Sequence, residues 1–123
     1  MTGKKYVELA MRTNDGKCTE RLTNAVKHNV LDMGGIFYAS LGLCGEAGEL
    51  NDMIKKWVFH EKPLDEEHAK KELGDIMWYI AMMCHSFGWD LDEIMRLNII
   101  KLMARYPEGF SVERANNRAA EDV

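Results

Sequence analysis

Several features that would place this chain in a common class are missing from its 123 residues. It has no run of 18 apolar residues, which a transmembrane helix requires, and residues 1–5 lack the apolar stretch of a signal peptide. Its three cysteines are an odd number at wide spacing, which favours a reducing compartment over a disulfide framework. We therefore expect a cytoplasmic protein without a membrane partner.

Positive charge is also scarce. The chain has 16 Lys and Arg residues against 20 Asp and Glu residues, which gives a net charge of -4 at pH 7. Proteins that bind nucleic acids usually concentrate positive charge, so this balance predicts no nucleic-acid partner. The length suits one domain with a real hydrophobic core and leaves little room for a second.

Proline is the third scarcity, because Pro63 and Pro107 are the only two in the chain. Extended alternation of β-branched residues is absent as well, so the sequence predicts an all-α fold. We expect an up-and-down bundle of four to five helices, over residues 6–11, 22–30, 36–60, 65–87 and 90–106. The domain spans residues 1–110, and a polar, mobile tail follows at residues 111–123.

Apolar residues repeat at helical spacing along the longer segments. The helix that begins at Asp65 carries the clearest stripe, which comprises Leu73, Ile76, Met77, Ile80, Met83, Cys84 and Phe87. Such a stripe is typical of a bundle core. Large apolar residues are numerous for so few helices, so we expect a second copy of the chain to complete the bundle.

Acidic residues form two closely spaced pairs. Glu46 and Glu49 lie three positions apart on one predicted helix, and Glu72 and Asp75 do so on the next. Residues at this spacing are neighbours on one helix face, and no downstream lysine relieves either pair. If the two helices pack antiparallel, the four carboxylates converge beside the core. Their repulsion then calls for a hard cation such as Mg²⁺ or Mn²⁺.

Two interpretations of the acidic pairs stay open at this point. They are either a metal site or two solvated acidic faces without a cation. Glycine is unfavourable within helices, yet Gly45 and Gly48 flank the first pair and Gly74 lies within the second. These glycines indicate either close helix packing or space kept open for metal, water and substrate.

The last predicted helix carries a stripe of hydrogen-bond donors. Asn98, Lys101 and Arg105 lie on one face, and their side chains suit phosphate oxygens. Lys55 and Lys56, one turn beyond Glu49, have the same chemistry, although Asp52 can pair with either lysine. A solvated helix face is the alternative for both groups.

Three blocks in order resemble the motifs of the MazG-like nucleotide pyrophosphohydrolases. Residues 43–50, with Asp52 and the lysine pair 55–56, resemble the first motif, and residues 72–79 resemble the second. Residues 98–110 resemble the third, so the resemblance covers residues 41–110. The family pattern is ExxE, a variable spacer and ExxD, and all four acidic positions match it.

The resemblance implies an all-α enzyme that hydrolyses nucleoside triphosphates to a monophosphate and pyrophosphate. It implies that Mg²⁺, or Mn²⁺ in its place, is held by Glu46, Glu49, Glu72 and Asp75, which are thereby also the catalytic residues. Substrate contacts fall to Asn98, Lys101, Lys55 and Arg105. It also implies a homodimer or homotetramer with sites bounded by more than one chain.

We expect one carboxylate to accept the proton of the attacking water, and we assign this role to Glu49. The alternative function is a non-catalytic helical oligomerisation or regulatory module that binds nucleotide or divalent metal without turnover. Neither the base nor the sugar of the substrate follows from the sequence.

Overall fold

A computed structural model describes residues 1–120 and 122 of the chain. Within them the fold is all-α, as predicted, with six helices and no strand. The helices are α1 (Gly3–Ala10), α2 (Cys18–Lys27), α3 (Met33–Phe59), α4 (Glu66–Phe87), α5 (Leu91–Arg105) and α6 (Val112–Asn116), and a 3₁₀ turn covers Met11–Thr13.

The ends of α4 follow directly from local sequence chemistry. Asp65 is the N-cap, and its side chain accepts a hydrogen bond of 3.0 Å from the backbone N–H of His68. Gly88 follows the last turn in the left-handed region, with φ of 71°, where a residue without Cβ is favoured. Both helix ends match the prediction.

Several helix boundaries differ from the prediction. Helix α1 covers Gly3–Ala10 instead of residues 6–11. Helix α3 begins at Met33 rather than residue 36, because Asp32 caps it by accepting a 3.0 Å hydrogen bond from the N–H of Gly35. Helix α2 covers Cys18–Lys27 instead of residues 22–30. The tail, for which no structure was expected, contains α6, whose N-cap Ser111 accepts from the N–H of Arg114. At the starts of α3 and α6, the hydrogen bond to the capping side chain, rather than the apolar pattern, determines where the helix begins.

Helices α3 and α4 pack against each other as an antiparallel pair. Their contact buries Ile36 and Ala39 on α3 together with Cys84 and Ser86 on α4. The Ser86 hydroxyl donates to the Asp32 carboxylate at 3.2 Å, so the start of α3 is tied to the end of α4. Because the helices run in opposite directions, the middle of α3 lies beside the first half of α4.

Much of the predicted core is not buried within one chain. In the α4 stripe, Cys84 is buried, but Leu73 is 51% exposed and Met77 is 68% exposed. The accessible surface is 10243 Å², whereas a compact monomer of this size exposes about 6,700 Å². Ile76, Ile80, Met83 and Phe87 are half-buried, so one chain covers the predicted stripe only in part. Its completion by a second copy stays a prediction.

Helix α5 is the most open of the long helices. None of its residues is buried, and its apolar side chains, such as Ile99 and Met103, are about 60% exposed. The apolar side chains of α5 are therefore largely exposed to solvent in the isolated chain.

Helices α3 and α4 are long enough to cross a bilayer, yet neither has the apolar character that a span requires. Among the described residues, no other helix is both long enough and apolar enough to cross a membrane.

Candidate metal centre

The antiparallel packing of α3 and α4 brings three of the predicted carboxylates together. Glu46 on α3 and Glu72 and Asp75 on α4 each offer an oxygen, and these oxygens all lie within 4.8 Å of one another. Two residues on α4 meet one on α3 because residues three apart share a helix face. We call these three residues the carboxylate triad.

Glu72 is the most buried member of the triad. Its residue is only 6% exposed, and its Oε2 atom has no hydrogen-bond partner among the described residues. A buried carboxylate oxygen without a partner is costly, so such an atom is normally matched by a proton or a cation. The burial and the unpartnered oxygen fit a metal ligand better than a solvated acidic face.

The triad also alters the acidity of Glu46. Its pKa is raised, first by a hydrogen bond with Glu72, then by burial and by the negative charges of Glu49, Glu72 and Asp75. Each of these causes disfavours the charged form of Glu46, and the positive charge of a bound cation would favour it. Oxygen ligands carrying several negative charges are the donor set that Mg²⁺ and Mn²⁺ prefer, so the residues present fit such an ion.

Glu49, the fourth predicted ligand, is placed differently from the triad. Its side chain is exposed and lines a cleft of about 600 Å³ beside the triad, between α3 and the loop that leads into α4. Glu72 borders the same cleft, so cleft and triad are continuous. Ligation by Glu49 stays a prediction.

The glycines of α3 and α4 differ in what surrounds them. A Cβ at Gly42 would overlap the ring of Tyr79, so this glycine permits close packing of α3 on α4. Gly45, Gly48 and Gly74 have open space where a Cβ would stand. Gly45 and Gly48 line the cleft, so their lack of side chains widens it.

Two lysines border the cleft, and neither is Lys55. The ammonium of Lys56 lies 2.6 Å from the Asp52 carboxylate, and that of Lys55 lies 3.2 Å from it. Hydrogen bonds from Lys56 and then Lys55 lower the pKa of Asp52. After α3, Glu61 takes a left-handed conformation with φ of 53°, and the turn brings Lys62 to the cleft wall. No role was predicted for Lys62 from the sequence, because its place depends on this turn.

The predicted phosphate contacts on α5 lie elsewhere in the isolated chain. None of Asn98, Lys101 and Arg105 lines the cleft. Arg105 forms an ion pair with Asp122, in which its Nε donates at 2.7 Å, and it borders a second cavity of about 370 Å³ together with Lys101. These three residues stay predicted substrate contacts, and one chain alone does not bring them to the cleft.

Aromatic residues adjoin the triad without lining the cleft. The ring centroids of Tyr38 and Tyr79 are 5.7 Å apart, and those of Trp78 and Tyr79 are 5.0 Å apart. The pKa of Tyr79 is raised by a hydrogen bond with Tyr38 and burial, and further by the charges of Tyr38, Glu46 and Asp75. The Tyr79 hydroxyl therefore lies within the electrostatic reach of the carboxylates.

One further contact was missed by sequence reasoning. Nε2 of His68 lies 2.7 Å from Oε1 of Glu72, one helical turn along α4. The four-residue spacing was the available signal, because residues at i and i+4 are neighbours on a helix. Lys71, which directly precedes Glu72 in the sequence, instead pairs with Glu67 at 3.4 Å.

Comparison with known proteins places these motifs in a family. The family model of the MazG nucleotide pyrophosphohydrolase domain matches residues 39–110, which include the triad, Glu49 and all of α5. The chain is similar to the Gene 37 protein of Mycobacterium phage L5, with 31% identity over 88 residues, 68% of this chain and 77% of that protein. No solved structure matches the chain.

Proposed function

The chain belongs to the MazG nucleotide pyrophosphohydrolase family, and on that premise we propose that it hydrolyses nucleoside triphosphates between the α and β phosphates. Water adds across that anhydride bond, so the products are a nucleoside monophosphate and pyrophosphate. The observation that carries the proposal is the triad, whose three residues offer oxygens within 4.8 Å of one another, together with a buried oxygen of Glu72 that has no hydrogen-bond partner among the described residues.

We propose that Glu46, Glu72 and Asp75, with Glu49 beside them, hold Mg²⁺ or Mn²⁺. When bound, such an ion would neutralise part of the negative charge of the phosphates and lower the pKa of a water molecule. Glu49 lies outside the triad and lines the cleft, so its carboxylate is the one best placed to accept the proton of the attacking water. Glu72 is enclosed by comparison, which suits a fixed ligand.

The cleft provides space and positive charge for the substrate. Its volume of about 600 Å³ is within the range of small-molecule sites. Lys56 and Lys62 on its wall offset part of the negative charge of a triphosphate, and Lys55 adds to this at the rim through its shared partner Asp52. The carboxylates themselves repel phosphate, so productive binding depends on the divalent ion.

We further propose that the active form is a homodimer or homotetramer. One chain exposes about 3,500 Å² more surface than a compact monomer of its size, which is more than the roughly 1,000–2,500 Å² that one partner typically contributes to an obligate interface. In such an assembly, α5 of one copy supplies Asn98, Lys101 and Arg105 to the cleft of another copy, because one chain does not place these residues at its own cleft. Cys18 and Cys44 are exposed free thiols, which agrees with the expected cytoplasmic location.

A nucleotide panel tests the proposal. Ribo- and deoxynucleoside triphosphates are incubated with the protein and Mg²⁺, and released pyrophosphate is measured with and without a chelator. We expect release from at least one nucleotide, and its loss with the chelator. Thermal stabilisation by Mg²⁺ without release from any nucleotide would instead support a regulatory module that binds metal without turnover.

A further inference from the structure

We propose that His68 is a positioning residue for the metal centre and holds the Glu72 carboxylate toward Glu46 and Asp75. The inference rests on the proposed function, because it takes the carboxylate triad to be the metal site. It concerns a residue outside the triad that orients one of the three carboxylates.

The contact itself is short and local. Nε2 of His68 lies 2.7 Å from Oε1 of Glu72, with both side chains on the same face of α4. The other oxygen of Glu72 has no partner among the described residues. The imidazole therefore contacts one oxygen of the carboxylate and not the other.

The backbone of His68 is held in place by the N-cap of α4. Its N–H donates at 3.0 Å to the side chain of the N-cap residue Asp65, so the first turn of α4 is held closed. Without a cap, the first turn of a helix frays readily. The cap thus presents the His68 ring to Glu72 from a defined position.

No other basic residue in the described part of the chain forms an ion pair with the triad. Lys71 pairs with Glu67 at 3.4 Å, and Lys56 pairs with Asp52 at 2.6 Å. Glu72 has three side-chain torsions, and a bound partner limits the rotamers it samples. Metal ligands are commonly oriented in this way, and loss of the orienting partner costs roughly 10- to 100-fold in metal affinity.

A structural role alone does not account for His68. Its side chain is 56% exposed and lines the cleft, so its removal opens no cavity in the core. We therefore expect His68→Ala to leave the melting temperature nearly unchanged while metal binding weakens. This combination of results would distinguish an effect of His68 on metal binding from an effect on the stability of the fold.

Mn²⁺ binding to the nucleotide-free protein, followed by the electron paramagnetic resonance of free Mn²⁺, tests the proposal without any assay of turnover. We expect His68→Ala to weaken binding by about 10-fold or more. His68→Gln keeps a donor with similar reach and should recover part of the affinity. His85→Ala makes the same substitution at an exposed position near the far end of α4 and should bind Mn²⁺ like the wild type.

Glu72→Gln, measured in the same titration, distinguishes failure of the inference from failure of the metal centre. If Glu72→Gln loses Mn²⁺ while His68→Ala retains wild-type affinity, His68 is not a positioning residue and the centre stands. The positioning role of His68 is equally excluded if His68→Gln binds no better than His68→Ala. If the wild type binds no Mn²⁺, or Glu72→Gln binds it unchanged, the metal centre itself is contradicted and the role of His68 falls with it.

Discussion

The α3–α4 pair and helix α5 carry similar apolar patterns but differ sharply in burial. The pair encloses Ile36, Ala39 and Cys84, whereas α5 has no buried residue along its length. The pair also assembles the triad and one wall of the cleft, and α5 carries the predicted phosphate contacts away from them. One chain thus brings the carboxylates together and leaves the predicted phosphate contacts apart from them.

The largest effect should come from removing a triad carboxylate. Glu72→Gln keeps the shape of the side chain but removes the charge that balances a cation, so we expect turnover to fall by more than about 100-fold. Glu49→Gln should lose turnover similarly if it is the proton acceptor. Pyrophosphate release measures both variants, and their circular dichroism spectra should stay helical.

Glu66→Gln is the matched control for these variants, because it makes the same change in the first turn of α4 outside the triad. It should retain activity. Full activity in Glu72→Gln would mean that the two-helix pair is not the catalytic half of the molecule.

The next largest effect is expected on α5. Ile99 is 59% exposed in the isolated chain, and in the proposed oligomer it lies in the interface. Ile99→Glu would bury an unpaired charge there, so we expect association to weaken by roughly 100-fold or more. Analytical ultracentrifugation measures the shift toward monomer.

Ile99→Val serves as the control for Ile99→Glu, because it keeps an apolar side chain at the same position and adds no charge. A wild-type protein that sediments as a monomer at all concentrations would contradict the proposed role of α5. So would an Ile99→Glu variant with unchanged mass.

A smaller effect separates the two kinds of glycine on α3. Gly42→Ala puts a methyl group into the Tyr79 ring, so we expect a loss of about 1–3 kcal/mol in the free energy of unfolding. Gly48→Ala puts the methyl group into open space and should gain about 0.5–1 kcal/mol from helix propensity. Urea denaturation of the two variants gives the comparison. Equal effects would mean that α3 and α4 do not pack as closely at Gly42 as the structure shows.

The smallest effect is expected at the end of the chain. The Arg105 guanidinium lowers the pKa of Asp122 below its ordinary value of 3.8. A lowered pKa stabilises the folded state above the ordinary value, and this contribution is lost as the pH falls through the lowered one. Amide hydrogen exchange of α6 should thus show less protection in Asp122→Asn than in the wild type at neutral pH. The difference should vanish in strong acid, and a difference that persists there would exclude the ion pair as its cause.

Much of the α3–α4 pair could be predicted from the sequence because its signals are local. Asp65 and Gly88 mark the ends of α4, and the three-residue spacing of Glu72 and Asp75 puts both on one face. The antiparallel arrangement then follows from the short loop. These features depend on neighbours within a few residues, so the pattern alone determines them.

The remaining features depend on contacts that no local pattern specifies. Lys62 reaches the cleft only because Glu61 adopts a left-handed conformation, which is uncommon for a residue with a side chain. Exposure of Leu73 and Met77 could not be foreseen either, since periodicity shows which face is apolar but not which chain covers it. The pairing of Arg105 with Asp122 joins residues 17 positions apart.

The position of bond cleavage is the most direct test of the proposed chemistry. Phosphorus nuclear magnetic resonance follows the wild-type protein with Mg²⁺ and whichever nucleoside triphosphate the panel identifies as substrate, and it resolves all phosphate products in one sample. We expect equal amounts of nucleoside monophosphate and pyrophosphate, with no diphosphate intermediate and no reaction in the presence of a chelator. Nucleoside diphosphate with inorganic phosphate, or turnover that persists with the chelator, would contradict the proposed reaction.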